Sequence, residues 1–202
     1  MQLRWILAFD TSAAHCAAAL ICGDRVILRD EPMAKGQAER LIPLLEELLA
    51  EVGIVWADLC AIGVGTGPGN FTGVRISVAA ARGLALGLGV PAIGVSALEA
   101  MAFGAALPVT VIIDARRDEV YLQSFTNQGP GPARMVAAAA ARDDSIGDVI
   151  GVSGAQAKYP LAEAIARITA QRWTSPQPRP APFYLRGADA APPSDAAPVI
   201  LP

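Results

Sequence analysis

A single histidine, His15, stands in the 202-residue sequence. No two imidazoles can therefore share a zinc ion, and a lone histidine on a predicted hairpin is no basis for a Ser-His-Asp triad. His15 reads as a strand or turn residue. Cys16, Cys22 and Cys60 are odd in number and form no Cys-x-x-Cys pair. That argues against a disulfide framework and for buried thiols in a reducing compartment. No uninterrupted apolar run reaches the roughly twenty residues of a membrane span. The N-terminus, Met1-Gln2-Leu3-Arg4 before an apolar run that stops at Asp10, lacks a signal-peptide pattern. A cytoplasmic protein without membrane contact is expected. With a formal net charge of −3 the chain has no basic excess for binding nucleic acid alone, so work on RNA needs a partner.

What is present is apolar: 53% of residues are hydrophobic and 17% charged, enough for a sizeable core. Three antiparallel strands are predicted first, Trp5 to Phe9, Ala17 to Ile21 and, after the hairpin dipeptide Gly23-Asp24, Val26 to Leu28. From Gln37 to Val52 leucines recur at helical spacing, and Gly53 ends the pattern. Leu59 to Val64 reads as a buried strand, Val74 to Leu88 as a helix rich in small residues, and Pro91 to Val95 as a strand. Ser96 with Glu99 then has the spacing of a capping box. Val109 to Asp114, a polar turn and Val120 to Phe125 repeat the plan of Trp5 to Asp10, turn and strand. Two related α/β halves facing a cleft follow from that echo, unless it is the chance likeness of two strand-Asp-turn-strand units. Val149 to Val152 and Leu161 to Thr169 give a further strand and helix. From Pro176 on, eight of 27 residues are proline, which predicts a mostly extended or disordered tail with Phe183-Tyr184-Leu185-Arg186 docked on the body.

The densest signal is Gly63-Val-Gly-Thr-Gly-Pro-Gly-Asn-Phe-Thr-Gly73, between a strand and a helix. A Walker loop needs a lysine that is absent here, and Gly-x-Gly-x-x-Gly fails in each register because Pro68, Asn70 or Thr72 occupies its last position. Two readings stay open. Backbone amides at a helix N-terminus can cradle an anion, with Asp10, Thr11, Gly67, Gly69, Asn70 and Thr72 as candidate nucleotide contacts, or the glycines serve tight turns. Asp10 and Asp114, each ending a strand, could hold a hydrated magnesium, but capping the turns that follow is the better-supported role.

Ile6-Leu7-Ala8-Phe9-Asp10-Thr11-Ser12, Glu39-Arg40-Leu41-Ile42-Pro43, Gly67-Pro68-Gly69-Asn70-Phe71-Thr72-Gly73-Val74-Arg75-Ile76, Gly94-Val95-Ser96-Ala97-Leu98 and Ile113-Asp114-Ala115-Arg116-Arg117-Asp118-Glu119-Val120-Tyr121 together resemble the TsaB (YeaZ) family. The likeness covers about residues 4 to 125 and returns at Tyr184-Leu185-Arg186, with the glycine string its most specific part. It implies an actin-like (ASKHA, ribonuclease H-like) duplicated α/β fold, divided as 1–105, a smaller second half 106–175, and the tail 176–202. It also implies a non-catalytic scaffold role in making N6-threonylcarbamoyladenosine at position 37 of tRNAs that read codons beginning with A. The implied partners are the catalytic subunit TsaD, the ATPase TsaE, or a second copy of the chain, with tRNA met only through the complex.

The resemblance implies no cofactor of the chain's own, with ATP or ADP and magnesium expected at the complex interface. Gly36-Gln37-Ala38-Glu39-Arg40-Leu41 corresponds to the segment of TsaD's histidine metal motif; it holds no histidine, so that chemistry is not carried over, and a peptidase is not expected. Family members pair through their first two helices, which implies Leu41, Ile42, Leu45, Leu48, Leu49, Arg75, Ser77 and Ala81 as interface residues, while both helices could instead only cover their own sheet. The second function class is an independent nucleotide-dependent kinase-like or acyl-transferring enzyme using Asp10 and the glycine loop.

Overall fold

The computed structural model describes residues 4–186, and residues 187–202, which hold most of the predicted Pro-rich tail, lie outside them. The chain is a mixed α/β protein built on two five-stranded sheets. β1 (Trp5–Asp10), β2 (His15–Cys22) and β3 (Arg25–Pro32) form an antiparallel meander, as the apolar runs and the Gly23-Asp24 dipeptide predict. α1 (Gln37–Val52) leads to β4 (Leu59–Gly65), which pairs parallel with β1, and α2 (Phe71–Leu88) leads to β5 (Ala92–Val95), parallel to β4. The order is β3-β2-β1-β4-β5.

This sheet is covered on both faces, so its strands must be apolar on both. Period-two alternation sends Leu7, Phe9, Ala18, Leu20 and Val64 toward α1 and α2. Ile6, Ala8, Ala17, Ala19 and Ala61 face the other way, toward α4 (Leu161–Arg172). The small side chains on that face let α4 approach closely. A Cβ on Gly63 would lie 3.1 Å from both Ala8 Cβ and Ile165 Cγ2.

α3 (Ala97–Ala102), capped by the Ser96 hydroxyl accepting from the Glu99 amide at 3.0 Å, leads into the second sheet. There β6 (Val109–Arg116) and β7 (Glu119–Thr126) form a hairpin. β8 (Gly129–Pro130) and β9 (Arg134–Ala137) pair with β7, and β10 (Asp148–Gly151) lies parallel to β6. In each sheet, then, a hairpin's first strand takes a later strand beside it in parallel, β4 on β1 and β10 on β6. Of the alanine run at residues 137–141, the first ends β9 and the next three form a short 3-10 turn, Ala138–Ala140. One face of the second sheet packs against Leu98 and Ala102 of α3 and against Phe183 and Leu185; on the other, Ile112, Val120 and Leu122 are met by Ala141. The final helix, although it follows the second sheet in the chain, packs on the first.

α2 starts at Phe71, three residues before the predicted start, because Asn70 caps it by accepting from the Gly73 amide at 2.9 Å. Its length and mean hydropathy of 1.3 would suit a membrane span, a test that core helices also pass, and one of its faces lies in the first core.

Candidate functional site

The glycine loop sits where β4 ends and α2 begins, against the turn that joins β1 to β2. Thr11 Oγ1 donates to the Gly73 carbonyl at 2.6 Å, and the Asn70 amide donates to the Ser12 carbonyl at 2.6 Å. A Cβ on Gly73 would overlap the Thr11 carbonyl, one on Gly69 the Ser12 carbonyl, and one on Gly65 the Asp10 carboxylate, whose Cγ would be 2.7 Å away. Bare backbone is needed here because loop and turn touch main chain to main chain. Gly67, with φ 90°, accepts from the Ala97 amide at 2.8 Å and so ties the loop to the start of α3. Of the two readings the sequence leaves open, close packing of a turn has this direct geometric support. The amides of Asn70 and Gly73 are already spent within the chain, which leaves fewer donors for an anion.

Asp10 ends β1 fully buried. Its Oδ1 accepts from the Ser12 amide at 2.9 Å and the Ser12 hydroxyl at 2.8 Å, and lies 2.9 Å from His15 Nε2. The carboxylate therefore caps its own turn, while Oδ2 is buried with no partner. His15 was expected as a strand or turn residue; it opens β2, and the tight return of the hairpin brings its ring onto Asp10. Its other nitrogen, Nδ1, is 3.4 Å from Asp30 on β3. Burial alone would lower the His15 pKa, but the hydrogen bond to Asp10 and the charges of Asp10 and Asp30 raise it on balance. An Asp ending a strand and a His five residues on, past a turn, is the signal that sequence reading left unused.

Asp114, the counterpart in the second sheet, is exposed and accepts from the Arg116 amide at 2.9 Å, so it caps its turn too. Thr72 is exposed in the first turn of α2. Among the described residues no three His, Cys, Asp or Glu side chains gather as a metal-binding group. The segment after α4 returns across the loop. The Phe183 amide donates to the Thr66 carbonyl at 2.8 Å, Tyr184 stacks on Phe71 at 5.1 Å, and Arg186 reaches the Ala115 carbonyl at 2.8 Å and Glu119 at 2.7 Å. The apolar patch expected to dock on the body thus links the glycine loop to the β6-β7 turn.

The expected interface residues divide sharply, and the side-chain assignment needs correction. Leu41, Leu45, Leu48 and Leu49 of α1, and Ser77 and Ala81 of α2, are buried in the chain's own core. α1 packs on β2 and β3 and beside α2, and its leucine arc is buried in that core, so these side chains are not offered to a partner while the chain is folded. Ile42, 38% exposed, and Arg75 are on the surface, Arg75 with its guanidinium 4.2 Å over the Phe71 ring. The outward face of α2 carries Ala79, Gly83, Leu86 and Gly87, all exposed.

The family model described as TsaD, tRNA N6-adenosine threonylcarbamoyltransferase, matches residues 31–193. The tRNA threonylcarbamoyladenosine biosynthesis protein TsaB of Escherichia coli is 40% identical over 131 residues, 62% of this chain and 57% of that protein. The chain belongs to the TsaB (YeaZ) family. An uncharacterized Mycobacterium tuberculosis protein is 31% identical over 95% of this chain and 96% of its own length. A Pseudomonas aeruginosa crystal structure, described as an uncharacterized protein with similarity to peptidase YEAZ, superposes with a TM-score of 0.71 at 25% identity, covering 91% of this chain and all of that one. The match to the E. coli protein thus spans little more than half of that protein, whereas the mycobacterial and Pseudomonas likenesses run along the whole TsaB-family chain.

Proposed function

We propose that this TsaB-family chain is the non-catalytic scaffold subunit in the formation of N6-threonylcarbamoyladenosine at position 37 of tRNA, pairing through α1 and α2 with a TsaD-like catalytic subunit. The observation that carries the proposal is the outward face of α2. Gly83 and Gly87 lie inside the helix, where glycine costs about 1 kcal/mol relative to alanine. A Cβ on either would meet nothing within 4 Å, and neither has a positive φ, so nothing among the described residues explains them. A second backbone closing on that face does, and beside it Leu86 is 83% exposed. The name of the E. coli relative supports the pathway, and the buried leucines narrow the surface: Ile42 and the Arg75 to Gly87 face make the contact, while the rest of α1's leucines hold the scaffold rigid.

The matching strand arrangements of the two sheets support a duplicated actin-like fold, its second half shortened, with a boundary near residue 105 and α4 crossing back to the first half. In this reading a nucleotide at the complex interface is held mainly by the partner, because the glycine loop is occupied by its own turn. The test is co-purification with TsaD of wild type and of Leu86→Asp and Gly83→Gln, with circular dichroism as the control for folding. Both variants are expected to stay folded and lose the partner, and reconstituted tRNA modification is expected to require the chain. Unchanged association would overturn the interface, and modification at full rate without the chain would overturn the function. Calorimetry with ATP and magnesium on the isolated chain separates the competing enzymatic reading, which requires tight binding and turnover that Asp10→Asn abolishes.

A further inference from the structure

The two side-chain polar atoms buried without a partner among the described residues are Asp10 Oδ2 and Arg82 Nε. Arg82 lies toward the other end of α2 from the glycine loop. Eleven residues separate Arg82 from the start of the helix at Phe71, about 16 Å along its axis, so the two places are distinct. Arg82 lines an open, largely apolar cavity of about 810 Å³ between the C-terminal end of α2, the start of β5 and the chain after α4, where Trp173 and the exposed Ser175, Gln177 and Arg179 form the far side. We propose that this cavity binds the phosphate of a nucleotide unit.

Charge is the first argument. No aspartate or glutamate lines the cavity, and neither Arg82 nor Arg179 pairs with a carboxylate among the described residues. Arg172, close by in sequence, is paired with Glu99, so the lining arginines differ from their neighbour. The Arg4 guanidinium sits 5.2 Å from the Trp173 ring centroid and adds a further cation beside the wall. A group of cations with no carboxylate partner among the described residues, in a chain of net charge −3, is complementary to an anion.

Donor number is the second. Two guanidinium groups with the hydroxyls of Thr174 and Ser175 and the amide of Gln177 offer more donors than the two oxygens of a carboxylate use. A phosphate ester, with up to two charges and three terminal oxygens, matches them. Size is the third. The volume falls in the range of small-molecule sites of about 300 to 1,000 Å³ and exceeds what a phosphate alone needs. Val90, Ala92 and Pro176 make the remaining wall apolar, as a ring-bearing body requires. The unit can come from a free mononucleotide or from a residue of an RNA chain, since the phosphate and ring are the same in both.

The test uses the full chain and does not depend on the assembly role, because it is read on the isolated protein. Adenosine 5′-monophosphate, adenosine and a short single-stranded RNA are titrated by calorimetry into wild type, Arg82→Gln and Arg179→Gln, each checked by circular dichroism. The nucleotide is expected to bind and adenosine to fail. Each arginine variant is expected to bind about tenfold or more weakly. RNA that binds more tightly than the mononucleotide, with an affinity that falls steeply with salt, identifies the RNA source; equal affinity identifies the free nucleotide. No binding of the mononucleotide or the RNA, or binding that survives both arginine substitutions, would overturn the proposal.

Discussion

The same substitution at three positions of α2 should change stability in opposite directions. Glycine to alanine inside a helix ordinarily stabilises by up to about 1 kcal/mol. At Gly83 and Gly87 the added methyl meets nothing within 4 Å, so each variant should gain about 0.5 to 1 kcal/mol in the isolated chain. At Gly73 the methyl would overlap the Thr11 carbonyl and stand 2.9 Å from its carbon, and backbone cannot swing aside as a flexible side chain would. To admit it the β1-β2 turn must move, weakening the Thr11 Oγ1 to Gly73 and Asn70 amide to Ser12 hydrogen bonds. Two buried hydrogen bonds at about 1 kcal/mol each and an overpacking cost of about 1 to 3 kcal/mol, less the helix gain, leave Gly73→Ala about 2 to 4 kcal/mol less stable. Urea unfolding followed by circular dichroism reads all three, and at roughly 2 to 4 °C per kcal/mol for a chain of this size the melting temperatures should separate clearly. A Gly73→Ala variant as stable as wild type would refute the close-packing account of the loop. A destabilised Gly83→Ala would refute the claim that this face has no neighbour within the chain.

Further outcomes follow from the core and the Asp10 site. Leu45→Ala should cost about 2 to 5 kcal/mol by urea unfolding, because Leu45 is fully buried between α1 and the sheet; a loss well under 1 kcal/mol would show that it is not a core residue. His15 has a folded-state pKa above its ordinary 6.5, with Asp10 and Asp30 facing it, so its protonation stabilises the fold. That contribution is complete below the ordinary value and is lost as pH rises through the raised one; the unfolding midpoint of His15→Gln should therefore depend less on pH than that of wild type as pH rises above the ordinary histidine value. Cys16 is fully enclosed and its thiol is pushed up to about 11, first by burial and then by Glu31. Iodoacetamide at mildly alkaline pH should modify Cys22 and Cys60 first, and early labelling of Cys16 would mean that the first core opens readily.

Periodicity carried the local structure. The leucine spacing of α1, the apolar runs of β1 and β2, and the Gly23-Asp24 hairpin are set by neighbours a few residues apart, and each element stands where its pattern predicts. The start of α2 was harder to place, because its cap is Asn70 within a glycine run that carries no apolar period. Which side of a leucine-rich helix faces the core and which a partner is also invisible in one dimension. Leu41, Leu45, Leu48 and Leu49 have the composition of an interface and the position of a core.

The sequence by itself determined the family, the α/β class and the first meander, since those rest on a specific glycine string and on short-range patterns. Only the tertiary structure decided that the glycines of that string meet the chain's own turn, that His15 reaches Asp10, and that Arg82, Trp173 and Arg179 share one cavity. Each of those facts joins segments that lie on different elements. Burial, hydrogen bonding and charge act through space, so the approach of one segment to another, and not its composition, assigned their roles.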